Sequence, residues 1–510
     1  MIYHCDNYFS IKEKALSLSD SRSPGYHTEK MVSIPERLVR CIWYDQLIDK
    51  ARLKTTTGEK IKILSQGEWN CGAGPDFLDC LYQIEDEDPV RGDLELHVKS
   101  GDWKRHGHNK NPGYNDVVLH VSLWNDMDDN FVYNNNGESI PQLILADYLE
   151  SDIEELSFVI DMENYPFNSD SRTGICMKMG GTHPERLVQL LEMAGRERIF
   201  LKAARMRKML CSESYDTVLY KGLMECAGYR NNKSSFRRLA GIVPLSKAKQ
   251  ICRDTPRLDN ALILQSIYFG VSGLFSNIEI PMWDSETRSF CELMKSFWDE
   301  YSHILNMDRM KKSDWTISGV RPAGFPVRRI AGLSILLSEL LHNGGLFGTT
   351  KRFGSRLKKC SDIREIKKEM HAFSDSLCAN ATGYWEHRIL PGGKKIDTVP
   401  ALIGKSLAMT MILNIIIPLL LCYASDNEDK ILNGRVLDMY SVFPKLNNNK
   451  IIRIMNHRLW GNSKGNHDIL SREINNQGIL QIFFDFCDQN IQDCKKCSFP
   501  KMLDPECFNS

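Results

Sequence analysis

The sequence lacks the short motifs of several common enzyme classes. It contains no Gly-x-x-x-x-Gly-Lys-Ser/Thr phosphate loop, no Gly-rich dinucleotide fingerprint and no His-Glu-x-x-His. These absences argue against P-loop NTPases, Rossmann dehydrogenases and zincin proteases. Any catalytic site must therefore rest on another arrangement of residues.

The chain also lacks net charge, because it contains 65 Lys and Arg residues and 65 Asp and Glu residues. The distribution is uneven: residues 1–150 carry 16 basic and 25 acidic residues, and the remainder carries 49 and 40. This division favours an acidic metal site beside a basic, phosphate-binding surface, although chance also produces such a division. Residues 1–10 have no apolar signal core, so the sixteen cysteines predict reduced thiols in a cytoplasmic protein.

Long apolar runs are scarce, and only Ser406 to Ala424 approaches the length of a membrane span. Asn414 and Pro418 interrupt this uncharged run, and no aromatic belt flanks it. We therefore predict a buried helix that ends or kinks near Pro418, in a protein that does not enter the membrane.

The periodicity of the apolar residues predicts an α+β protein with four parts. Residues 1–33 form an N-terminal extension, 34–150 an α/β domain with a mixed sheet, 151–485 a mainly helical region and 486–510 a cysteine-rich tail. Within the α/β domain, helical spacing covers 35–50, and strand patterns cover 60–64, 77–84, 93–98, 116–124 and 142–147.

The candidate catalytic residues are Asp76, Glu95, His97 and Lys99. Strand alternation places Glu95, His97 and Lys99 on one face, and Asp76 begins the preceding strand. Asp76 and Glu95 are suitable ligands for Mg²⁺ or Mn²⁺, and His97 or Lys99 could orient water or stabilise charge. The alternative is that Asp76 caps a turn and the other three form the solvated face of an edge strand.

The order of a helix, a Pro75–Asp76 strand and a strand with Glu95 resembles the PD-(D/E)XK nuclease superfamily. The resemblance implies metal-dependent hydrolysis of phosphodiester bonds in DNA or RNA. This sequence departs from the motif at His97, where the superfamily has lysine. Either His97 replaces the lysine or Lys99 does, and Glu36 or Glu68 could supply a further carboxylate.

Three more histidines, His106, His108 and His120, follow soon after. The His-x-His pair could bind a transition metal, which leaves open a metal-dependent hydrolase of a small substrate. His120 lies between Leu119 and Val121 and is expected to be a hydrogen-bonded core histidine.

The candidate nucleic-acid-binding residues are basic side chains of the helical region, since guanidinium groups suit phosphate. The arginines equally suit carboxylates on neighbouring helices, and a non-catalytic nucleic-acid- or protein-binding module is therefore the rival function. The candidates are Arg196, Lys202, Arg205, Arg321 and Arg328.

Four cysteines close the chain, Cys487, Cys494, Cys497 and Cys507. Their spacing predicts a structural Zn²⁺ site or an iron–sulfur cluster, with free thiols as the alternative. Cys71 could take the place of Cys507.

Several longer motifs together resemble the bacterial family of domain of unknown function 2851. They are the N-x-x-A-G-P-D-F motif at 70–77, the G-D-L-E-L-H-V-K-S motif at 92–100 and the V-V-L-H-V motif at 117–121. Arg321–Pro322, Tyr384–Trp385 and the helix with Asn414 fit later elements, and the family's three terminal cysteines match Cys487, Cys494 and Cys497. The resemblance implies a bacterial protein and no particular activity.

Overall fold

The computed structural model describes residues 6–17, 34–153, 156–157, 160, 162, 165–166, 176–177, 184–228, 232–257, 259–274, 284–304, 309–446, 450–461, 468–487 and 497–503. The chain divides into two compact units. The sheet unit comprises residues 10–184, 450–462 and 482–510, and the helical unit comprises 1–9, 185–449 and 463–481.

The sheet unit is built on a seven-stranded mixed sheet with the order β1-β3-β4-β5-β7-β6, and β2 pairs with β3. β3 and β4 are antiparallel, whereas β4–β5 and β5–β7 are parallel. The helices are α1 (Asp6–Ser17), α2 (Glu36–Asp45) and the short α3 (Asp102–Arg105); the strands are β1 (Ile61–Ser65), β2 (Glu68–Trp69), β3 (Phe77–Ile84), β4 (Val90–Lys99), β5 (Val117–Trp124), β6 (Phe131–Tyr133) and β7 (Ser139–Ile144).

The strand predictions locate five of these strands, and β3 has the predicted bounds. β2 and β6 were not predicted, because two or three residues are too few to show alternation. Helix α2 packs an apolar face on the sheet: Leu38, Ile42 and Trp43 are buried in the same core as Leu94 and Leu96 of β4.

The link between β4 and β5 positions the site. Parallel strands need a crossover connection, which is usually a full helix. Here the crossover is short and irregular, with α3 followed by single 3₁₀ turns at His108–Lys110 and Pro112–Tyr114. The chain segment with His106 and His108 is thereby held beside the strand that carries Glu95 and His97.

The helical unit contains all but one of the remaining long helices of the described residues, so the predicted α+β class is confirmed. The exception is the helix Lys450–Trp460, which belongs to the sheet unit. The helices are α4 (Pro184–Leu210), α5 (Tyr215–Ala227), α6 (Lys233–Ile242), α7 (Leu245–Asp254), α8 (Asn260–Ser272), α9 (Ser285–Tyr301), α10 (Pro326–His342), α11 (Leu346–Lys359), α12 (Ile363–Ser376), α13 (Lys405–Asp426), α14 (Lys430–Ser441), α15 (Lys450–Trp460) and α16 (Glu473–Ile482).

Helix α13 contains the uncharged run, and it continues through Pro418 to Asp426. A π-helical turn at Ile412–Ile416 directly precedes the proline. Because Pro418 has no N–H for the carbonyl four residues earlier, a local π-turn can accommodate it without ending the helix. The helix is long and apolar enough to span a membrane, but 83% of its most apolar window is buried inside the protein. It is therefore a core helix.

Candidate metal centre

Glu95 and His97 occupy the polar face of β4. Leu94 and Leu96 alternate with them and point into the apolar core. Glu95 and His97 are themselves buried, with exposed fractions of 5% and 0%. Lys99, the last residue of the strand, is exposed. Alternation therefore correctly predicts that Glu95 and His97 share one face of β4. Lys99 is exposed because it lies at the end of the strand.

Asp76 is held by protein groups on both carboxylate oxygens. Its Oδ1 lies 2.6 Å from Nη2 of Arg40, and its Oδ2 accepts a hydrogen bond of 3.1 Å from the backbone N–H of Leu96. The backbone N–H of Asp76 in turn donates to Oε2 of Glu95 at 2.9 Å. The structure therefore brings Asp76 and Glu95 together as predicted, with Asp76 in a positioning role.

The two acidic residues carry more negative charge than the nearby arginine balances. Burial raises the pKa of Asp76 to about 7, and Arg40 acts in the opposite direction. Burial, followed by the Asp76 carboxylate, raises the pKa of Glu95 well above its usual value. Arg40 is shared further with Glu36, at 2.8 Å. A proton or a second cation is therefore needed beside Glu95.

Three imidazoles cluster beside Glu95, and two of them approach its Oε1. Nε2 of His97 lies 3.2 Å from Nδ1 of His106. Oε1 of Glu95 lies 3.3 Å from Nε2 of His108 and 3.8 Å from Nε2 of His97. One nitrogen of each histidine falls within 4.8 Å of the others. His106 is exposed, so the cluster is open to solvent on one side.

These separations are those of ligands around one metal ion. Zn²⁺ binds nitrogen and oxygen at about 2.0–2.2 Å in a tetrahedron, which places neighbouring ligand atoms roughly 3.3–3.6 Å apart. Both ring nitrogens of His108 are buried without a hydrogen bond, since the approach to Glu95 is poorly aligned. A cation between His108 and Glu95 would satisfy both groups.

Burial favours the neutral, metal-binding form of His97 and His108. Burial, then the neighbouring imidazoles, lowers the pKa of His97 well below its usual value, and the same causes lower the pKa of His108 to about 4. Trp103 and Tyr114 pack against His108, with ring centroids 5.3 and 3.9 Å away. Both aromatic residues are buried, so their contacts are with the histidine cluster and the protein interior.

His120 lies behind His97 and is fully buried, as expected of a core histidine. Its Nε2 is 2.9 Å from Nδ1 of His97, and its Nδ1 is 2.9 Å from Oε1 of Gln142. Sequence reasoning did not find Gln142 or Arg40. Arg40 follows Glu36 by one helical turn and was visible as an ion-pair partner, whereas Gln142 meets His120 only through the pairing of β5 with β7.

The basic candidates on α4 differ in accessibility. Lys202 donates to the side-chain oxygens of Asn414 and Gln477 at 2.7 and 3.0 Å, which gives it a role within the helical unit. Arg196 is half-buried and Arg205 is exposed. Of these three, Arg205 is the most accessible to a large ligand.

Arg321 and Arg328, which flank the Pro/Gly-containing segment 322–326, also differ in burial. Arg321 is exposed, whereas Arg328 is fully buried. The Arg328 guanidinium donates to the backbone carbonyls of Arg388, at 3.0 Å, and Pro400. Arg328 therefore satisfies buried carbonyls and cannot contact a nucleic acid in this conformation.

The cysteine site stays a prediction, because Cys494 and Cys507 lie outside the described residues. Cys487 and Cys497 are half-buried, as is Cys71, the proposed substitute for Cys507. The Cys487 thiol lies 3.6 Å from the Met455 sulfur.

The comparisons with known proteins concern the family alone. A search of curated proteins and a search of solved structures each find no significant match. A family model described as "Protein of unknown function (DUF2851)" matches residues 36–449, which include the whole β3–β5 region and most of the helical unit. The chain therefore belongs to this family of proteins of unknown function.

Proposed function

We propose that this chain is a hydrolase that depends on a divalent metal ion bound by Glu95, His97, His106 and His108. The observation that carries the proposal is that nitrogens of the three imidazoles lie within 4.8 Å of one another, and that Oε1 of Glu95 lies 3.3 and 3.8 Å from two of them. With these four ligands a metal-bound water would take a fifth position on the open side near His106, and the ion would activate it as a nucleophile.

The donor atoms favour Zn²⁺ or Mn²⁺ over Mg²⁺. Imidazole suits Zn²⁺ and other transition metals, whereas Mg²⁺ prefers oxygen ligands. Asp76 is the only other carboxylate of the predicted catalytic set, and both of its oxygens already have protein partners. In this proposal Asp76 orients Glu95, and His97 binds the metal in the strand position where the nuclease motif has lysine.

The substrate class that we propose is the phosphodiester of DNA or RNA. Support comes from the order of α2, β3 and β4, with Asp76 and Glu95 adjacent, which is the order that the nuclease resemblance implies. Exposed Arg205 and Arg321 are suitable for holding a phosphate backbone. A cytoplasmic location is part of the proposal, and it follows from the expectation that the sixteen cysteines are reduced thiols.

The test combines metal analysis with a nuclease assay on the full chain. Wild type, Glu95→Gln and His108→Ala would be incubated with single- and double-stranded DNA and RNA in Zn²⁺, Mn²⁺ or Mg²⁺. The control is His371→Ala, which removes an exposed histidine of α12. We expect wild type to hold about one metal ion per chain more than Glu95→Gln and His108→Ala, and we expect at least ~100-fold slower hydrolysis in these two variants only.

Two results would contradict the proposal in different ways. Hydrolysis that is equal in wild type and Glu95→Gln would remove the metal centre from the reaction. Bound metal without hydrolysis of any nucleic acid, or of a small phosphodiester or carboxylic ester, would favour the non-catalytic binding module instead.

A further inference from the structure

We propose that Gln142 and His120 are positioning residues that hold His97 as the tautomer with a proton on Nδ1, so that its Nε2 lone pair faces the metal centre. The inference rests on the proposed metal centre. It concerns side chains on β5 and β7 that approach the metal ligands from behind.

The orientation of the Gln142 amide is the first step. Its Nε2 donates to the backbone carbonyl of Asp129 at 3.0 Å. A carbonyl only accepts hydrogen bonds, so the NH₂ group must lie on this side, and Oε1 must lie on the other. Oε1 is the atom found 2.9 Å from Nδ1 of His120. The amide therefore presents an acceptor to His120.

The tautomer of His120 follows from that acceptor. Because Oε1 of Gln142 cannot donate, Nδ1 of His120 must carry the hydrogen. The His120 ring is fully buried, and burial of an imidazolium with only an amide as a partner is costly. The ring is therefore neutral, and its Nε2 is an acceptor.

The same reasoning fixes the tautomer of His97. Its Nδ1 lies 2.9 Å from the accepting Nε2 of His120, so Nδ1 carries the hydrogen. Nε2 of His97 is then unprotonated, and it is the atom that lies 3.2 Å from Nδ1 of His106 and 3.8 Å from Oε1 of Glu95. The opposite tautomer would direct an N–H at the cation.

Strand pairing holds Glu95, His120 and Gln142 in fixed positions. His120 pairs with Glu95 across the parallel β4–β5 ladder and with Gln142 across the parallel β5–β7 ladder. The three residues therefore lie in one row across three strands, and Gln142 and His120 are both fully buried. Outer partners of this kind commonly change metal affinity by roughly 10–100-fold.

The experiment compares Gln142→Leu with Gln142→Glu in the full chain. Leucine removes the acceptor from His120, whereas the neutral carboxylic acid of glutamic acid retains an acceptor for His120 and a donor for the Asp129 carbonyl. We expect Gln142→Leu to weaken Zn²⁺ binding by about 10–100-fold and Gln142→Glu to remain within about 3-fold of wild type. Competition with a chromogenic chelator gives the affinities, and Co²⁺ absorption reports whether the ligand geometry is retained.

A second measurement needs neither the Gln142 variants nor a bound metal ion. In metal-free wild type, ¹⁵N-histidine NMR, assigned with His97→Gln and His120→Gln, should show hydrogen on Nδ1 of both rings. A His97 ring with hydrogen on Nε2 would overturn the inference, as would Gln142→Leu with wild-type Zn²⁺ affinity. Wild type that has the expected tautomers but binds no Zn²⁺ would overturn the proposed function and leave the relay intact.

Discussion

The backbone N–H of Asp76 donates to Oε2 of Glu95 at 2.9 Å, and this bond decides what each acidic residue can do. It occupies one oxygen of Glu95 and leaves Oε1 facing the histidines. The carboxylate of Asp76 is itself held by Arg40 and by the backbone of Leu96. The hairpin thus makes Asp76 a support for Glu95.

Replacement of Arg40 should destabilise the sheet unit. Arg40→Leu would leave the buried Asp76 carboxylate without its cation, and we expect a loss of about 3–5 kcal/mol in the free energy of unfolding. Adding Asp76→Asn should recover part of the loss. Urea unfolding measures the effect, and Arg91→Leu is the control, because its ion pair with Asp79 is exposed and should contribute less than ~1 kcal/mol. Equal effects of the two substitutions would contradict the account.

Lys99 should be dispensable for metal binding and hydrolysis. It is exposed at the end of β4, whereas His97 is buried among the other metal ligands. Lys99→Ala should keep the metal content and stay within about 2-fold of wild-type activity, whereas His97→Ala should lose both. Elemental analysis and steady-state rates check this. A ~100-fold lower rate of hydrolysis in Lys99→Ala would instead indicate that Lys99 takes the role of the motif lysine.

Two glycines should be essential where α4 crosses α16. A Cβ at Gly195 would lie 2.2 Å from the carbonyl oxygen of Ile474, and a Cβ at Gly478 would lie 2.0 Å from that of Leu191. Either substitution by alanine must separate the helices, and we expect a loss of roughly 2–4 kcal/mol.

The matched control is Gly434→Ala on α14, where a Cβ would meet nothing within 4 Å. Alanine is the better helix former, so this variant should gain about 0.5–1 kcal/mol. Thermal unfolding midpoints compare the three variants. A midpoint for Gly195→Ala as high as that of wild type would show that the crossing is loosely packed.

Arg328 and Arg321 should respond differently to substitution. Arg328→Leu removes the donor to two buried carbonyls, and we expect a loss of about 2–4 kcal/mol in stability. Arg321→Ala should leave stability within ~0.5 kcal/mol. If the helical unit binds a nucleic-acid backbone, Arg321→Ala should also reduce the dependence of log affinity on log salt by about one unit. An unchanged salt dependence would exclude Arg321 from that surface.

The stability of the helical unit should depend on Glu473. Burial raises the pKa of this carboxyl group, and its oxygens accept hydrogen bonds from Leu446 N–H and from Gln477. Above the unfolded pKa of 4.5 the folded state retains a proton that the unfolded state has lost. Stability should therefore fall as pH rises from 4.5 through the folded pKa. Glu473→Gln should remove this part of the slope, which urea unfolding at several pH values can measure.

Local periodicity was sufficient for much of the fold. The bounds of β3, the buried face of α2 and the meeting of Asp76 with Glu95 follow from spacing alone, because alternation and helical repeat state which side chains face the core. The irregular register between β3 and β4 could not be predicted from the sequence. It occurs at Asp79, whose backbone is left-handed, and the residues around Asp79 give no distinctive signal for that conformation. Pro418 suggested that the helix either ends or kinks there; the π-turn that lets the helix continue depends on the surrounding packing, which local sequence does not show.

The sequence by itself determined an α+β chain of one recognisable family, with an acidic and histidine-rich group of residues in its first third. Only the tertiary structure decided which of those groups meet. The parallel β4–β5 crossover brings His106 and His108 to Glu95, and β7 supplies Gln142 to His120. Such pairings join residues far apart in the chain through the packing of the whole sheet. Local patterns specify a buried face but not the partner that fills it.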